Sequence, residues 1–140
     1  MGGRAMKILI VDDDFTSRVV LQEILSPHGE YHMAVNGQEA IEAFMLAWHE
    51  GPRYDLICLD INMPDVDGQV VLKGIRNMEE SEGILPGNGV KIIMTTALSD
   101  KENVLTSFKE LCDAYLVKPI NKRKLLGYLQ EFGLIKADRT

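Results

Sequence analysis

Short apolar runs alternate along this chain with amphipathic stretches of helical length, and this alternation limits its fold more than any other feature. Repeats of strand and helix are typical of βαβ units built around a parallel sheet. The 140 residues match the length of one domain. We therefore predict a single α/β domain, with strands near 6–11, 31–35, 54–59, 90–95 and 114–117 and helices near 15–27, 37–49, 66–80, 100–110 and 121–132.

The polarity of the runs indicates the order of the strands. KILIV, LICL and KIIM, in the first, third and fourth strands, are almost entirely apolar, as expected of central strands that helices cover on both faces. The second strand, YHMAV, is more polar and suits an edge. With right-handed crossovers, these properties favour a flavodoxin-like, doubly wound sheet of order 2-1-3-4-5 with five helices. The first and third strands would then lie side by side.

Composition argues against several classes of protein. The formal net charge is -6, whereas nucleic-acid binding needs a basic face. No apolar run approaches the ~20 residues that cross a bilayer, and no signal segment precedes the first strand. Cys58 and Cys112 lack the spacing of a disulfide framework or a thiolate metal site. We expect a cytoplasmic protein with free thiols that binds neither nucleic acid nor membrane.

Polar residues able to bind a phosphoryl group stand where four of the apolar runs stop. The first run stops at Asp12, Asp13 and Asp14, the third at Asp60, the fourth at Thr95 and Thr96, and the fifth at Lys118. Ligands of open parallel α/β sheets bind just beyond the carboxyl ends of the strands. We therefore expect carboxylates, a hydroxyl and an ammonium to share one pocket.

The carboxylates predict a divalent cation. Asp12, Asp13 and Asp60 would repel one another in a shared pocket unless a cation neutralised them. Mg²⁺ suits such a pocket because it prefers oxygen ligands and commonly binds one or two carboxylates together with phosphate oxygens. The backbone carbonyl of Asn62 could be a further ligand. Alternatively, the consecutive acids only cap the helix that begins near Phe15, although capping does not explain Asp60.

Asp60 ends a buried strand at the start of LDINMPDVDG. A carboxylate in this place can act as a nucleophile that accepts a phosphoryl group as an acyl phosphate, although it could instead only cap a turn. Lys118 could pair with Asp60 and, after transfer, with a phosphoryl oxygen. Thr95 or Thr96 could also bind a phosphoryl oxygen, but alternation along a strand points their side chains to opposite sides. We expect only one of the two hydroxyls to serve.

In this order, VDDD, LDINMPDVDG, TTA and LVKP resemble the receiver domain of two-component response regulators, from about residue 6 to residue 132. The resemblance implies a Mg²⁺-dependent phosphoacceptor switch rather than an enzyme. It also implies roles for five residues at the strand ends: Asp60 as phosphoacceptor, Asp12 and Asp13 as the acidic metal pair, Thr96 as the switch hydroxyl and Lys118 as the paired ammonium. Tyr115 matches the aromatic switch position of the family, although a tyrosine on a terminal strand is more often boundary packing.

We expect a leader or cloning remnant at 1–5, the receiver domain at 6–133 and a short C-terminal tail at 134–140. We expect a single-domain regulator, either a monomer or a phosphorylation-dependent dimer, that receives its phosphoryl group from a histidine kinase or a histidine phosphotransfer protein. The surface of the fourth predicted helix, the fifth strand and the last helix would then control binding of a downstream protein. The alternatives are a receiver module cut from a longer signalling protein and a small Mg²⁺-dependent aspartyl-phosphate phosphatase, which would usually have a second acid in place of Asn62.

Two further features concern regulation and docking. Leu98 follows the predicted switch hydroxyl by two residues, where receivers often carry a polar group. Because a leucine cannot hydrogen-bond the attacking water, we predict slow self-dephosphorylation. Lys122, Arg123 and Lys124 open the last predicted helix, where cations oppose the helix dipole. This basic turn is either simply solvated or part of a docking face for an acidic partner.

Overall fold

The structure is a computed structural model that describes residues 5–97 and 111–136. Its five strands form one parallel sheet: β1 (Met6–Val11), β2 (Gly29–Ala34), β3 (Leu56–Asp60), β4 (Lys91–Thr96) and β5 (Ala114–Val117). The strands are ordered β2-β1-β3-β4-β5, which confirms the predicted flavodoxin-like order. The more polar second strand lies at an edge, as its sequence indicated.

Four helices lie within the described residues: α1 (Phe15–Leu25), α2 (Gly37–Glu50), α3 (Gly68–Ser81) and α4 (Lys122–Glu131). A side chain just before each helix accepts a hydrogen bond from a first-turn N–H that has no partner within the helix; these caps are Asp14, Asn36, Asp67 and Asn121. The first helix ends two residues before its predicted end because Pro27 has no N–H to continue it. The helix predicted near 100–110 lies outside the described residues.

Two apolar layers fix the helices on the sheet. On the α1–α4 face, side chains of α1 and α4 pack against strand residues that include Ile10, Cys58 and Leu116. On the α2–α3 face, side chains of α2 and α3 pack against strand residues that include Val11 and Met94. Burying one large aliphatic side chain contributes about 1.5–3 kcal/mol, and a slip of one residue would turn every side chain of a strand to the wrong face. The packing therefore determines the register, and with it the positions of the residues at the strand ends.

Two expectations from composition can be compared with the structure. Cys58 and Cys112 are both free and buried, and burial raises the pKa of the Cys58 thiol to about 12. Across residues 5–97 and 111–136, no helix combines the length and the apolar character needed to span a bilayer.

Candidate functional site

Side chains from three strands meet at the carboxyl edge of the sheet. Asp12 directly follows β1, Asp60 is the last residue of β3, and Lys118 directly follows β5. The Nζ atom of Lys118 lies 3.0 Å from Asp12 Oδ2 and 3.4 Å from Asp60 Oδ2. All three side chains belong to the α1–α4 face, because each residue lies two positions beyond a strand residue of that layer: Ile10, Cys58 and Leu116.

Three carboxylates in this cluster could hold a metal ion. One oxygen from each of Asp12, Asp13 and Asp60 lies within 4.8 Å of the other two. Asp12 and Asp60 are buried, whereas Asp13 is exposed. Among the described residues, Lys118 is the one cation that forms an ion pair with either buried carboxylate. The excess of negative charge and the oxygen donors both suit a magnesium ion.

Burial and neighbouring charges change the pKa values of Asp60 and Lys118. Burial, and then repulsion from Asp12, raise the pKa of Asp60 from 3.8 to about 7, against the attraction of Lys118 and a hydrogen bond from the Asn62 N–H to Asp60 Oδ1 (3.2 Å). Burial alone would lower the pKa of Lys118, but the hydrogen bonds and charges of Asp12 and Asp60 outweigh burial and raise it. Asn62 itself is exposed, and the role of its carbonyl oxygen stays a prediction.

The acidic triplet divides into one helix cap and two members of the cluster. Asp14 Oδ2 accepts hydrogen bonds from the backbone N–H and the hydroxyl of Ser17, both at 2.9 Å, and these bonds hold the pKa of Asp14 below its ordinary value. Asp12 Oδ1 accepts the Asp14 N–H at 2.9 Å. Arg18 Nη1 donates to the Asp12 carbonyl oxygen at 2.9 Å, a contact that sequence reasoning missed because no local pattern marks it. Of the three consecutive acids, only Asp14 caps α1, whereas Asp12 and Asp13 belong to the carboxylate cluster.

The register of the strands distinguishes the two threonines. Thr95 pairs with Asp60 on β3 and with Leu116 on β5, so its side chain lies on the α1–α4 face, as that of Asp60 does. Alternation places Thr96 on the α2–α3 face, where its Oγ1 donates to the Ala97 carbonyl oxygen at 3.1 Å. Both threonines are buried. In this arrangement the predicted switch hydroxyl is engaged with the backbone.

Tyr115, the predicted aromatic switch, lies half-buried on β5 and packs against the α2–α3 layer. It pairs with Met94 on β4, and Thr96 lies two residues beyond Met94. Because residues two apart on a strand share a face, Tyr115 and Thr96 lie on the same side of the sheet. Tyr115 is thus placed beside Thr96 by the fold, and its role as the aromatic switch stays a prediction.

The loop that follows Asp60 is anchored to the start of α2, which sequence reasoning missed. The carboxylate of Asp65 accepts the N–H groups of Gly37 at 3.1 Å and Gln38 at 3.2 Å. Hydrogen bonds from the backbone N–H of Val66 and from these two N–H groups hold the pKa of Asp65 below its ordinary value. A Cβ at Gly37 would overlap the Val66 carbonyl oxygen, so the close approach requires glycine. The loop that follows β3 is therefore held against the start of α2.

Gly68 gives a second close approach, between the start of α3 and the backbone of Asp60. The Gly68 N–H donates to the Ile61 carbonyl oxygen at 2.9 Å. A Cβ on Gly68 would overlap the carbonyl oxygen of Asp60. The absence of a side chain therefore allows α3 to pack directly against the end of β3.

The variant Gly68→Ala is expected to lower the free energy of unfolding by about 1–3 kcal/mol, because the new methyl group must displace the backbone of Asp60. Chemical denaturation measures the change. Gly74→Ala is a matched control in the same helix, since a Cβ there meets no atom within 4 Å. We expect that control to stabilise the protein by about 0.5–1 kcal/mol. Similar effects of the two substitutions would show that the approach of α3 to β3 tolerates a side chain.

A family model and several curated proteins match this chain. The sequence model of the response regulator receiver domain matches residues 8–130. The probable transcriptional regulator ycf27 of Cyanophora paradoxa is 38% identical over 120 residues, which cover 85% of this chain and 44% of that protein. The chain spans less than half the length of the curated relatives it matches.

Two solved structures are similar over nearly the whole chain. One is the receiver domain of the Saccharomyces cerevisiae response regulator Ssk1, co-crystallised with the histidine phosphotransfer signalling protein Ypd1. It has a TM-score of 0.77 and 28% identity, with 99% of this chain and 96% of that chain covered. The other is the Thermotoga maritima response regulator TrrA in complex with Mg(2+)-BeF, with a TM-score of 0.71, 34% identity and coverage of 91% and 98%.

Proposed function

This chain belongs to the response regulator receiver domain family of two-component signalling, and from that premise we propose that Asp60 accepts a phosphoryl group from a phosphohistidine of a partner protein. The observation that carries the proposal is the contact of Lys118 Nζ with both Asp12 and Asp60. It brings a buried carboxylate, a second acid and an ammonium together from three strands. Receiver domains are phosphoacceptor switches rather than enzymes that turn over a substrate.

The proposed reaction is a displacement at phosphorus. An ionised oxygen of Asp60 forms a P–O bond while the P–N bond of the phosphohistidine breaks, and the electron pair of that bond stays on the imidazole nitrogen, which takes up a proton. The product is an acyl phosphate on Asp60. The Lys118 ammonium lies where it can bind a phosphoryl oxygen as negative charge develops there.

We assign the metal site of this reaction to Asp12, Asp13 and Asp60, with the carbonyl oxygen of Asn62 as a further ligand. Receiver domains bind Mg²⁺ at an acidic pocket of this kind. When bound, Mg²⁺ would favour ionised carboxylates and neutralise charge on the phosphoryl oxygens. Asp12 suits this role because its buried Oδ2 lies in the cluster and already contacts a cation, the Lys118 ammonium, at 3.0 Å.

The response to phosphorylation would begin at Thr96. A phosphoryl group on Asp60 adds about two negative charges and three acceptor oxygens. We propose that the Thr96 hydroxyl leaves the Ala97 carbonyl for one of these oxygens, and that Tyr115, on the same face, turns inward as Thr96 moves. Contacts made only in the phosphorylated state would then favour one of two loop arrangements.

The output surface proposed for this change comprises β5, α4 and the helix predicted near 100–110. That helix and Leu98 lie outside the described residues, so the slow self-dephosphorylation that Leu98 implies stays a prediction. The basic turn Lys122–Lys124 at the start of α4 is exposed. Its charge would suit an acidic downstream protein.

The proposed phosphoryl donor is a histidine kinase or a histidine phosphotransfer protein. The receiver of Ssk1, which is similar to this chain, was co-crystallised with the phosphotransfer protein Ypd1. Phe15 begins α1 directly beside the acidic residues and its side chain is 71% exposed, which suits contact with such a donor. We propose residues 6–133 as the receiver domain, acting in the cytoplasm as a monomer or a phosphorylation-dependent dimer.

Incubation with acetyl phosphate and Mg²⁺, followed by intact mass measurement, tests the proposed function. We expect wild type to gain the mass of one PO₃H group and Asp60→Asn to gain nothing, because an amide is not a nucleophile for this transfer. EDTA should prevent the gain in wild type.

Asp67→Asn is the matched control for that experiment. It removes an exposed carboxylate from the same loop and keeps a residue that can cap α3, so it should be labelled as wild type is. Labelling of Asp60→Asn, or none of wild type, would refute the assignment of the acceptor. Repeated turnover of a free phosphate ester would instead favour the phosphatase alternative.

A further inference from the structure

Thr95 contributes a second hydroxyl to this region, and the proposed function leaves it without a role. We propose that Thr95 is a positioning residue that holds the ammonium of Lys118 once Asp60 carries a phosphoryl group. The inference rests on the proposed function and adds one residue to it. The side chain of Thr95 is 1% exposed, and its Oγ1 has no hydrogen-bond partner within residues 5–97 and 111–136.

The unpartnered hydroxyl of Thr95 destabilises the unphosphorylated folded protein. A buried polar group without a hydrogen bond loses its interaction with water and gains nothing in exchange. Valine has nearly the same shape as threonine, suits a β-strand and carries no such cost. The hydroxyl of Thr95 therefore has a physical use only if it acquires a partner in another state of the site.

The topology of the sheet identifies Lys118 as that partner. β4 lies between β3 and β5, and strands are spaced about 4.8 Å apart. The Lys118 side chain must therefore cross β4 to bring its Nζ to 3.4 Å from Asp60 Oδ2. Thr95 pairs with Asp60, and alternation along the strands places its side chain on the α1–α4 face with those of Asp60 and Lys118. Thr95 also pairs with Leu116, two residues before Lys118 on the same face, so the stem of Lys118 passes the end of β4 on the side that carries the Thr95 hydroxyl.

Phosphorylation would free a donor beside this hydroxyl. In the resting site, Lys118 directs its ammonium to Asp12 and Asp60. A phosphoryl group on Asp60 would attract the ammonium away from Asp12, because it carries about two negative charges. The N–H released by Asp12 then needs another acceptor in this partly buried site, and the buried Thr95 Oγ1 can supply it. The hydrogen bond would hold the ammonium over the acyl phosphate, so Thr95 acts through Lys118 and does not touch the phosphoryl group.

The variants Thr95→Val and Thr95→Ser test the inference. In metal-free buffer, we expect the melting temperature of Thr95→Val to rise by about 2–6 °C, because the buried unpartnered hydroxyl is removed. With acetyl phosphate and Mg²⁺, we expect Thr95→Val to be phosphorylated about 10-fold more slowly than wild type, because a hydrogen bond to a charged group is lost. Thr95→Ser keeps the hydroxyl and should be phosphorylated at close to the wild-type rate. Calorimetry should give the same Mg²⁺ affinity for all three proteins.

Several outcomes would overturn this role of Thr95. One is phosphorylation of Thr95→Val at the wild-type rate. A second is Thr95→Ser being as slow as Thr95→Val, since packing rather than the hydroxyl would then matter. A third is a lower melting temperature for metal-free Thr95→Val, which would mean that the hydroxyl has a partner in the resting state. A wild type that is not phosphorylated at all would instead overturn the proposed function, and the role of Thr95 with it.

Discussion

In metal-free buffer at pH 8, the Asp60→Asn variant is expected to have a free energy of unfolding about 2–4 kcal/mol larger than that of wild type. Burial, and then repulsion from Asp12, raise the pKa of Asp60 from 3.8 to about 7. The ionised carboxylate is therefore unfavourable in the folded protein and unperturbed in the unfolded chain. Each pKa unit corresponds to about 1.36 kcal/mol, and an amide avoids the cost because it carries no charge.

The raised pKa also fixes how this difference depends on pH. The folded protein binds the Asp60 proton more tightly than the unfolded chain does. The stability that comes from the neutral carboxyl group is thus fully present below pH 3.8 and is lost as the pH rises through about 7. The advantage of Asp60→Asn should be small near pH 4, increase up to about pH 7 and then level off.

Urea denaturation of both proteins between about pH 4 and pH 8, in the presence of EDTA, measures this dependence. Asp67→Asn serves again as the control, because Asp67 is exposed and its removal should give no gain that grows with pH. Equal stability of wild type and Asp60→Asn at pH 8 would show that the acceptor carboxylate is not destabilised by its surroundings. In that case, the burial of Asp60 would not lower the stability of the folded protein, and the proposed acceptor would not trade stability for function.

The fold and the general position of the site could be predicted because both depend on repeating patterns. The apolar runs KILIV, LICL and KIIM distinguish central strands from the more polar edge strand. In a parallel sheet the carboxyl ends of all strands lie at one edge. A position at the end of a strand was therefore enough to predict that three side chains meet, those of Asp12, Asp60 and Lys118.

The orientation of individual side chains could not be predicted in the same way. Alternation along β4 indicates that Thr95 and Thr96 point to opposite faces but does not say which one faces Asp60. The register between β3 and β4 decides this, and the register depends on packing between helices and sheet that no single segment encodes. The acidic triplet poses a similar problem, because each of Asp12, Asp13 and Asp14 could cap α1 on local grounds.

Contacts between distant segments left even less trace in the sequence. Arg76 forms ion pairs with Glu79 at 2.8 Å and with Asp113 at 3.0 Å, which join α3 to the segment before β5. Arg76 and Glu79 are three residues apart, a spacing that places two side chains on one face of a helix. Asp113 and the loop residue Asp65 have no such relation to their partners. Their contacts follow from the assembled fold alone.

Replacing Lys118 by methionine is expected to destabilise the metal-free protein at pH 8 by about 2–4 kcal/mol, and Mg²⁺ should restore most of this loss. Methionine keeps an unbranched apolar stem but removes the ammonium that contacts Asp12 and Asp60. Two buried carboxylates then lack a counter-charge. This loss is at the lower end of the range for breaking a buried ion pair. The reason is that 24% of the Lys118 side chain is exposed, so solvent screens its interaction with the carboxylates.

Mg²⁺ should stabilise Lys118→Met more than it stabilises wild type, because in wild type the ammonium competes with the metal for the same oxygens. Urea denaturation with and without Mg²⁺ measures both increments, since a ligand that binds only the folded state raises its stability. Lys124→Met removes an exposed ammonium from α4 and should change neither increment. Equal increments in Lys118→Met and wild type would contradict the assignment of the metal to Asp12 and Asp60.

Metal, proton and ammonium are thus alternative ways to neutralise one buried negative charge. Lowering the pH from 8 to about 5 should also reduce the loss of stability in Lys118→Met. Asp60 has a pKa of about 7 even beside the ammonium, so it can take up a proton instead.

The Lys118→Met substitution should change the phosphorylation rate and the Mg²⁺ affinity in opposite directions. Lys118→Met would bind Mg²⁺ more tightly, yet it lacks the cation that pairs with the phosphoryl oxygen. Slower phosphorylation together with tighter metal binding would therefore show that Lys118 has two separable effects. In the resting site its ammonium competes with Mg²⁺ for the carboxylates, and during transfer it stabilises the phosphoryl group.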